Sequence, residues 1–335
     1  MTAASNSCVS MEELHLAAGR RLAKLTGNEA ALVTSGCAAA IVLAVLATIT
    51  GGRPELIAQM HHETALPLNV VIHRAHRIPY DRAIELAGGR IVEIGNVLQT
   101  FAWELEAAID EGTAAIFWVA GDHMPQTTLS LDETVAIAHA HGVPVIVDAA
   151  AQLPPVSNLW NFTKSHGVDL VTFSGGKGLR GPQASGLLLG RSDLIEAARL
   201  NAAPFQRLAR PMKVGKEEIC GLVTAVERYL KIDHETQAVD WRETVDRWAE
   251  RLTSSTGAKV RRVEQNEAGQ PVPRLEISFA NVEQAIEIVA RLWDDDPRIA
   301  VLRVSGNIYL SPDTLEDGES ELVIERLVVA MSTRD

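Results

Sequence analysis

The sequence predicts an α/β chain: a large domain built on a mostly parallel sheet with helices on both faces, followed by a smaller α/β domain. Three observations carry this. From about residue 10 to 200, short Val/Ile-rich runs bounded by Gly, Pro or Asp alternate with stretches of helical spacing. That is the rhythm of strands buried on both faces and joined by helical crossovers. After Gly215 long charged amphipathic stretches take over. Finally, 335 residues exceed one domain at roughly 100 to 200 residues each. These place the large domain at 1–210 and the small one at 211–335.

In chain order, the spacing predicts a helix over 11–25, then a short strand-like stretch and a strongly apolar helix within LVTSGCAAAIVLAVLA. Strands follow at 70–72, 90–94, 114–119, 143–148, 169–173 and 186–190, with helices over 80–86, 102–109 and 131–141 between them. Beyond 215, helices are expected over 216–230 and 239–252, then strands in KVRRV, RLEISF, AVLRV and NIYLSP, and a final helix over 319–331. Only the first eight residues show no structural pattern.

Composition narrows the function. Lys plus Arg number 31 against 43 carboxylates, a net charge of -12, and such a field repels phosphate backbones, so nucleic acid is a disfavoured partner. The most apolar run, 38–49, falls short of the roughly 20 residues that span a bilayer, and the N-terminus has no secretory pattern. Cys8, Cys37 and Cys220 are odd in number, widely spaced and without a CxxC pair, which fits a reducing cytoplasm rather than a disulfide framework or zinc cluster. The histidine pairs 61/62 and 73/76 do not have metal-site spacing: HHET is not HExxH, and VVIHRAHR reads as a strand leaving the sheet.

The chemistry concentrates in three segments. In DLVTFSGGKGLRGPQASGLLLG an apolar strand ends in Lys177, flanked by Gly175, Gly176 and Gly178. A lysine that must approach a planar ligand needs such backbone without Cβ atoms, whereas a surface lysine does not. In VPVIVDAAAQ, Asp148 closes an apolar strand, at the edge where open α/β sheets hold ligands; an Asp there also serves as a helix cap. Thr34, Ser35 and Gly36 open the apolar helix, and free N–H groups at a helix start attract phosphate. Phosphate cradle, carboxylate and lysine on three strand ends are the set that pyridoxal phosphate needs. The basic stretch RLARPMKVGK and Arg180 offer Arg180, Arg210 and Lys213 for a substrate carboxylate or phosphate; a solvated basic face is the other reading.

On the strings LTGNEAALVTSGCAAAI, AHRIPYDRAIELAGGRIVEIG, HAHGVPVIVDAAAQLPP, FSGGKGLRGPQASGLLLGR and RPMKVGKEEICGL, the chain resembles fold type I pyridoxal-phosphate enzymes. More narrowly, it resembles the group related to bacterial selenocysteine synthase (seryl-tRNA selenium transferase) that contains D-glucosaminate-6-phosphate ammonia-lyase. The resemblance implies that Lys177 forms the imine with the cofactor and moves the substrate Cα proton. It implies that Asp148 bonds the pyridinium nitrogen, that Ser35, Gly36, Cys37 and Ser174 contact the phosphate, that His76 stacks on the ring, and that Gln152 reaches the ring hydroxyl. Gln152 stands four residues after the aspartate, where related enzymes have three. The part of the chain that matches begins near Met11, after a segment shorter than in relatives, and without the module selenocysteine synthases use on tRNA.

The reaction so implied is ammonia elimination from a small β-hydroxy or sugar amino acid, giving a 2-oxo acid, by a homodimer or higher homo-oligomer. The alternatives are a transferase, either an aminotransferase or a selenium transferase, and a non-catalytic protein that binds the cofactor or a partner.

Overall fold

The computed structural model describes residues 1–60, 66–122, 124–125 and 127–332. The chain packs into two compact units, Met1–Lys231 and Ile232–Asp335, so the division falls later than the 210/211 boundary expected from the sequence. The reason is the helix Lys216–Tyr229. Its charged face resembles the segment that follows, but Ile219, Leu222, Val226 and Tyr229 are buried in the first unit's core beside Leu22 and Phe173. The first residues also differ from expectation: Thr2–Ser5 forms a single helical turn, and Lys216 Nζ donates to the carbonyls of Ser5 and Ser7.

The first unit holds a seven-stranded sheet: β1 (Ala30–Thr34), β2 (Asn69–His73), β3 (Arg90–Ile94), β4 (Thr113–Val119), β5 (Val145–Asp148), β6 (Leu170–Ser174) and β7 (Gly186–Gly190), in the order β1-β7-β6-β5-β4-β2-β3. Strands β3, β2, β4, β5 and β6 pair in parallel. Strand β7 alone is reversed: it pairs antiparallel with β6, with Ser174 opposite Gly186, and antiparallel with β1 on its other side. Hence β1, β5 and β6 run in one direction, and the residues that follow them emerge along one edge.

Side chains alternate between faces along a strand, and the core splits accordingly. Leu32, Ile72, Phe117, Ile146, Leu170 and Leu188 face the helices Cys37–Thr50 and Ser192–Asn201. Val71, Ile116, Val147, Val171, Phe173 and Leu189 face Met11–Thr26, Leu131–Ala140, Asn158–Lys164 and Lys216–Tyr229. The same alternation decides the site: Asp148 two residues after Ile146, and Thr172 and Ser174 after Leu170, all lie on the face covered by Cys37–Thr50.

The second unit has a four-stranded antiparallel sheet, β10-β11-β9-β8, from β8 (Lys259–Val263), β9 (Arg274–Ser278), β10 (Leu302–Val304) and β11 (Asn307–Leu310). Helices His234–Thr256, Val282–Asp294 and Glu319–Ser332 supply the rest of its core around Trp248, which is 1% exposed. The Trp248 indole N–H donates to the Ser320 carbonyl at 3.1 Å. Trp248→Ala removes both packing and bond and is expected to destabilise the chain by about 3–5 kcal/mol, read as a lower urea or thermal midpoint by circular dichroism.

Candidate active site

Three segments meet at the common edge. Strand β6 ends at Ser174 and turns through Gly175, Gly176 and Lys177. The Gly181 N–H donates to the Gly175 carbonyl at 2.7 Å and the Arg180 N–H to the Lys177 carbonyl at 2.8 Å. The glycines are required by close approach. A Cβ on Gly178 would fall on the Leu153 carbonyl, and one on Gly176 would sit 2.5 Å from the Gln183 amide oxygen. Lys177 itself is exposed, and its ammonium makes no hydrogen bond or ion pair among the described residues.

Asp148, at the end of β5, is 5% exposed. The Ala150 N–H donates to its Oδ1 at 3.0 Å, and the Cys37 sulfur lies 3.6 Å from the same oxygen. Oδ2 accepts no hydrogen bond among the described residues. Burial raises the Asp148 pKa from the ordinary carboxylate value, while the Ala150 N–H, the Cys37 thiol and the charge of Lys177 act in the opposite sense. That Lys177 acts on Asp148 at all places the two groups in one electrostatic neighbourhood.

The third segment is the start of the helix Cys37–Thr50. Its N-cap is Gly36, at φ 138°, with no side-chain cap. The N–H groups of Cys37, Ala38 and Ala39 precede the first intrahelical bond, from Ala40 to the Gly36 carbonyl, and have no acceptor among the described residues. Strand β7 approaches this turn so closely that a Cβ on Gly186 would lie 2.5 Å from the Gly36 carbonyl carbon. The Ser35 hydroxyl donates to the Met212 carbonyl at 3.0 Å, which brings the exposed Arg210 and Lys213 to the same end of the site. Ser174 is half-buried and shares a sheet face with Asp148. Gln152 is buried, and Arg180 is exposed with its backbone at φ 51°.

Two expected residues sit differently. The Cys37 side chain points away from the helix mouth, 3.3 Å from Thr172 Oγ1 and toward Asp148, so only its N–H is placed for an anion. His76 has no accessible surface. The Val119 N–H donates to its Nδ1 at 3.3 Å, Thr128 Oγ1 lies 3.3 Å from Nε2, and its ring packs between His73 and Trp118. A ring buried on every side has no face for a cofactor to stack on. Thr172 joins the site as a residue the sequence analysis does not single out; its signal is the alternation in LVTFS, which sets Leu170, Thr172 and Ser174 on one face. Among the described residues no group of three or more His, Cys, Asp or Glu could hold a metal ion; His61 and His62 lie outside them.

These residues fit pyridoxal phosphate on their own geometry. A buried carboxylate with one oxygen unpartnered suits a ring N–H, an uncapped helix start suits a phosphate, and Lys177, whose charge acts on Asp148, supplies an amine.

A family model described as SelA, L-seryl-tRNA selenium transferase, matches residues 13–281. The chain is 34% identical over 335 residues to D-glucosaminate-6-phosphate ammonia lyase of Salmonella typhimurium, covering 97% of this chain and 87% of that one. It is also 34% identical over 332 residues to a 5'-C-glycyluridine monooxygenase-decarboxylase of Streptomyces sp, covering 95% and 81%. The solved structure of D-glucosaminate-6-phosphate ammonia-lyase superposes with a TM-score of 0.83 at 32% identity, over 98% of this chain and 89% of that one. The fold alone is shared with archaeal O-phosphoseryl-tRNA(Sec) selenium transferase, at a TM-score of 0.62 and 15% identity over 95% and 75%. Fold type I architecture and a match over most of the first unit agree: the chain belongs to the SelA (L-seryl-tRNA selenium transferase) family.

Proposed function

We propose that the chain is a pyridoxal-phosphate-dependent lyase that releases ammonia from a small β-hydroxy or sugar amino acid and yields a 2-oxo acid. The observation that carries this is the convergence of Lys177, the unpaired Oδ2 of Asp148 and the open start of Cys37–Thr50 on one sheet edge. When bound, the cofactor supplies an electron sink conjugated to the substrate α-carbon. Lys177 would hold it covalently and would move the proton at the substrate Cα. Asp148 Oδ2 would accept the hydrogen bond of the ring N–H and keep that nitrogen protonated. The N–H groups of Cys37, Ala38 and Ala39 hold the phosphate, with the hydroxyls of Ser35 and Ser174 beside them. Arg180, Arg210 and Lys213 are the cations for the substrate's carboxylate or phosphate. Gln152 remains a candidate for the ring hydroxyl.

The similarity to an ammonia lyase along 97% of the chain favours elimination, in which hydroxide leaves Cβ and water later replaces nitrogen at Cα. The family model favours a second reading, a transferase. The named relatives differ in reaction, so the discriminating measurement is the fate of nitrogen. Purified protein carrying the visible absorbance of the lysine-bound cofactor is offered D- and L-hydroxy amino acids and phosphorylated sugar amino acids. Equal yields of ammonia and 2-oxo acid are expected. Transfer of the amino group to an added 2-oxo acid, with no free ammonia, would replace the lyase with the transferase.

No described helix is long and apolar enough to cross a membrane. Three free thiols, one of them beside Asp148, favour a reducing cytoplasm. Val97, Leu98, Phe101 and Trp103, all largely exposed, favour a homodimer or larger homo-oligomer that covers them.

A further inference from the structure

Cys37 is the first residue of the helix Cys37–Thr50, yet its side chain turns inward between two strands. Register sets Asp148 of β5 opposite Thr172 of β6, and the sulfur sits over this pair, 3.6 Å from Asp148 Oδ1 and 3.3 Å from Thr172 Oγ1. The second donor to Asp148, the Ala150 N–H, falls on the same oxygen. Both donors therefore bind Oδ1, and Oδ2 is the oxygen left over.

We propose that Cys37 is a positioning residue, whose thiol donates to Asp148 Oδ1 and so fixes the carboxylate with Oδ2 turned toward the cofactor's ring nitrogen. This rests on the pyridoxal-phosphate reading of the site. The direction of donation follows from the environment: burial, and next the charge of Asp148, push the thiol's pKa well above its ordinary value, so sulfur keeps its hydrogen and a carboxylate is the acceptor beside it. Thr172, with no accessible surface, completes a short chain in which its hydroxyl donates to sulfur and sulfur to Oδ1. Hydrogen bonds in such a chain polarise one another in a low-dielectric interior. The same protonated, shielded sulfur is a poor nucleophile, so its use is to orient rather than to react.

The test compares the holoenzyme with Cys37→Ala, Cys37→Ser and Thr172→Val, reading pyridoxal-phosphate affinity on dilution and the position of the visible absorption band. Cys37→Ala is expected to bind the cofactor about 3- to 10-fold more weakly, the scale of one ordinary hydrogen bond, and to shift the band. Cys37→Ser restores a donor and is expected to recover most of both. Thr172→Val keeps the shape and removes only the hydroxyl behind sulfur; a change in the same direction of about twofold is expected, and it stands in for the alanine variant should that one fail to fold. Parent-like affinity and spectrum in Cys37→Ala, or in Thr172→Val where alanine does not fold, or a serine variant no better than alanine, overturns the proposal while leaving the cofactor reading intact. A parent protein that takes up no pyridoxal phosphate overturns both.

Discussion

Lys177→Ala is expected to abolish the visible absorbance of the lysine-bound cofactor and to lower turnover by about 10⁴-fold, because in the proposed reaction one side chain both carries the cofactor and moves the Cα proton, and the proton transfer alone contributes up to about that factor. Ammonia release under saturating substrate measures the loss. The location of the amine is checked separately: borohydride reduction of the holoenzyme, followed by peptide mass mapping, places the cofactor on Lys177. Lys164, Lys213 and Lys216 are the informative controls, since each belongs to the first unit. A label on any of them, or full turnover in Lys177→Ala, would remove the basis of the proposed reaction.

Asp148→Asn is expected to lower turnover by about 10²–10³-fold, the usual cost of deleting a preorganised charge opposite developing charge. Asparagine keeps the shape and loses the charge, so it separates electrostatics from packing; Asp148→Ala should cost no less. Stability of the cofactor-free protein moves the other way. Burial raises the Asp148 pKa, so the folded chain binds that proton more tightly than the unfolded one, and at neutral pH the ionised carboxylate is a destabilising group. Removing its charge raises the midpoint of the apoprotein while turnover falls. A variant that loses midpoint along with turnover would mean that Asp148 holds the fold rather than the cofactor.

Most of the first unit was legible because its strands are rich in Val, Ile and Leu and, apart from the partly exposed edge strand β3, are buried on both faces. RIVEI and GLLLG coincide with β3 and β7, and the apolar helix after LVTSG begins where the glycine ends. The helices Asn158–Lys164 and Ser192–Asn201 leave little mark in the sequence: the first is short and mixes polar with aromatic residues, and the second has polar residues between its buried ones. The domain boundary slipped because charge on the solvent face of Lys216–Tyr229 hid its buried stripe. At the site, the strand-end placement of Asp148 and Lys177 was legible from the apolar strand before one and the glycines around the other. The burial of His76 was not, because it depends on Trp118 and Thr128, more than forty residues away, and no local spacing encodes that contact. The inward turn of Cys37 depends likewise on the β5–β6 register, which only the assembled sheet provides.

The reversal of β7 decides how Lys177 is set in place. Elsewhere in the first unit's sheet, neighbours in sequence are joined through helices or long excursions, but β6 returns at once as β7, with residues 175–185 as the connecting tip. Lys177 rides on the tip of a hairpin whose strands pair as near neighbours in sequence, and the tip is seated against the Leu153 carbonyl. The acid and the anion cradle wait for distant crossovers to dock. Lengthening the tip by a residue would therefore swing the amine off target while the other two anchors stayed where they are.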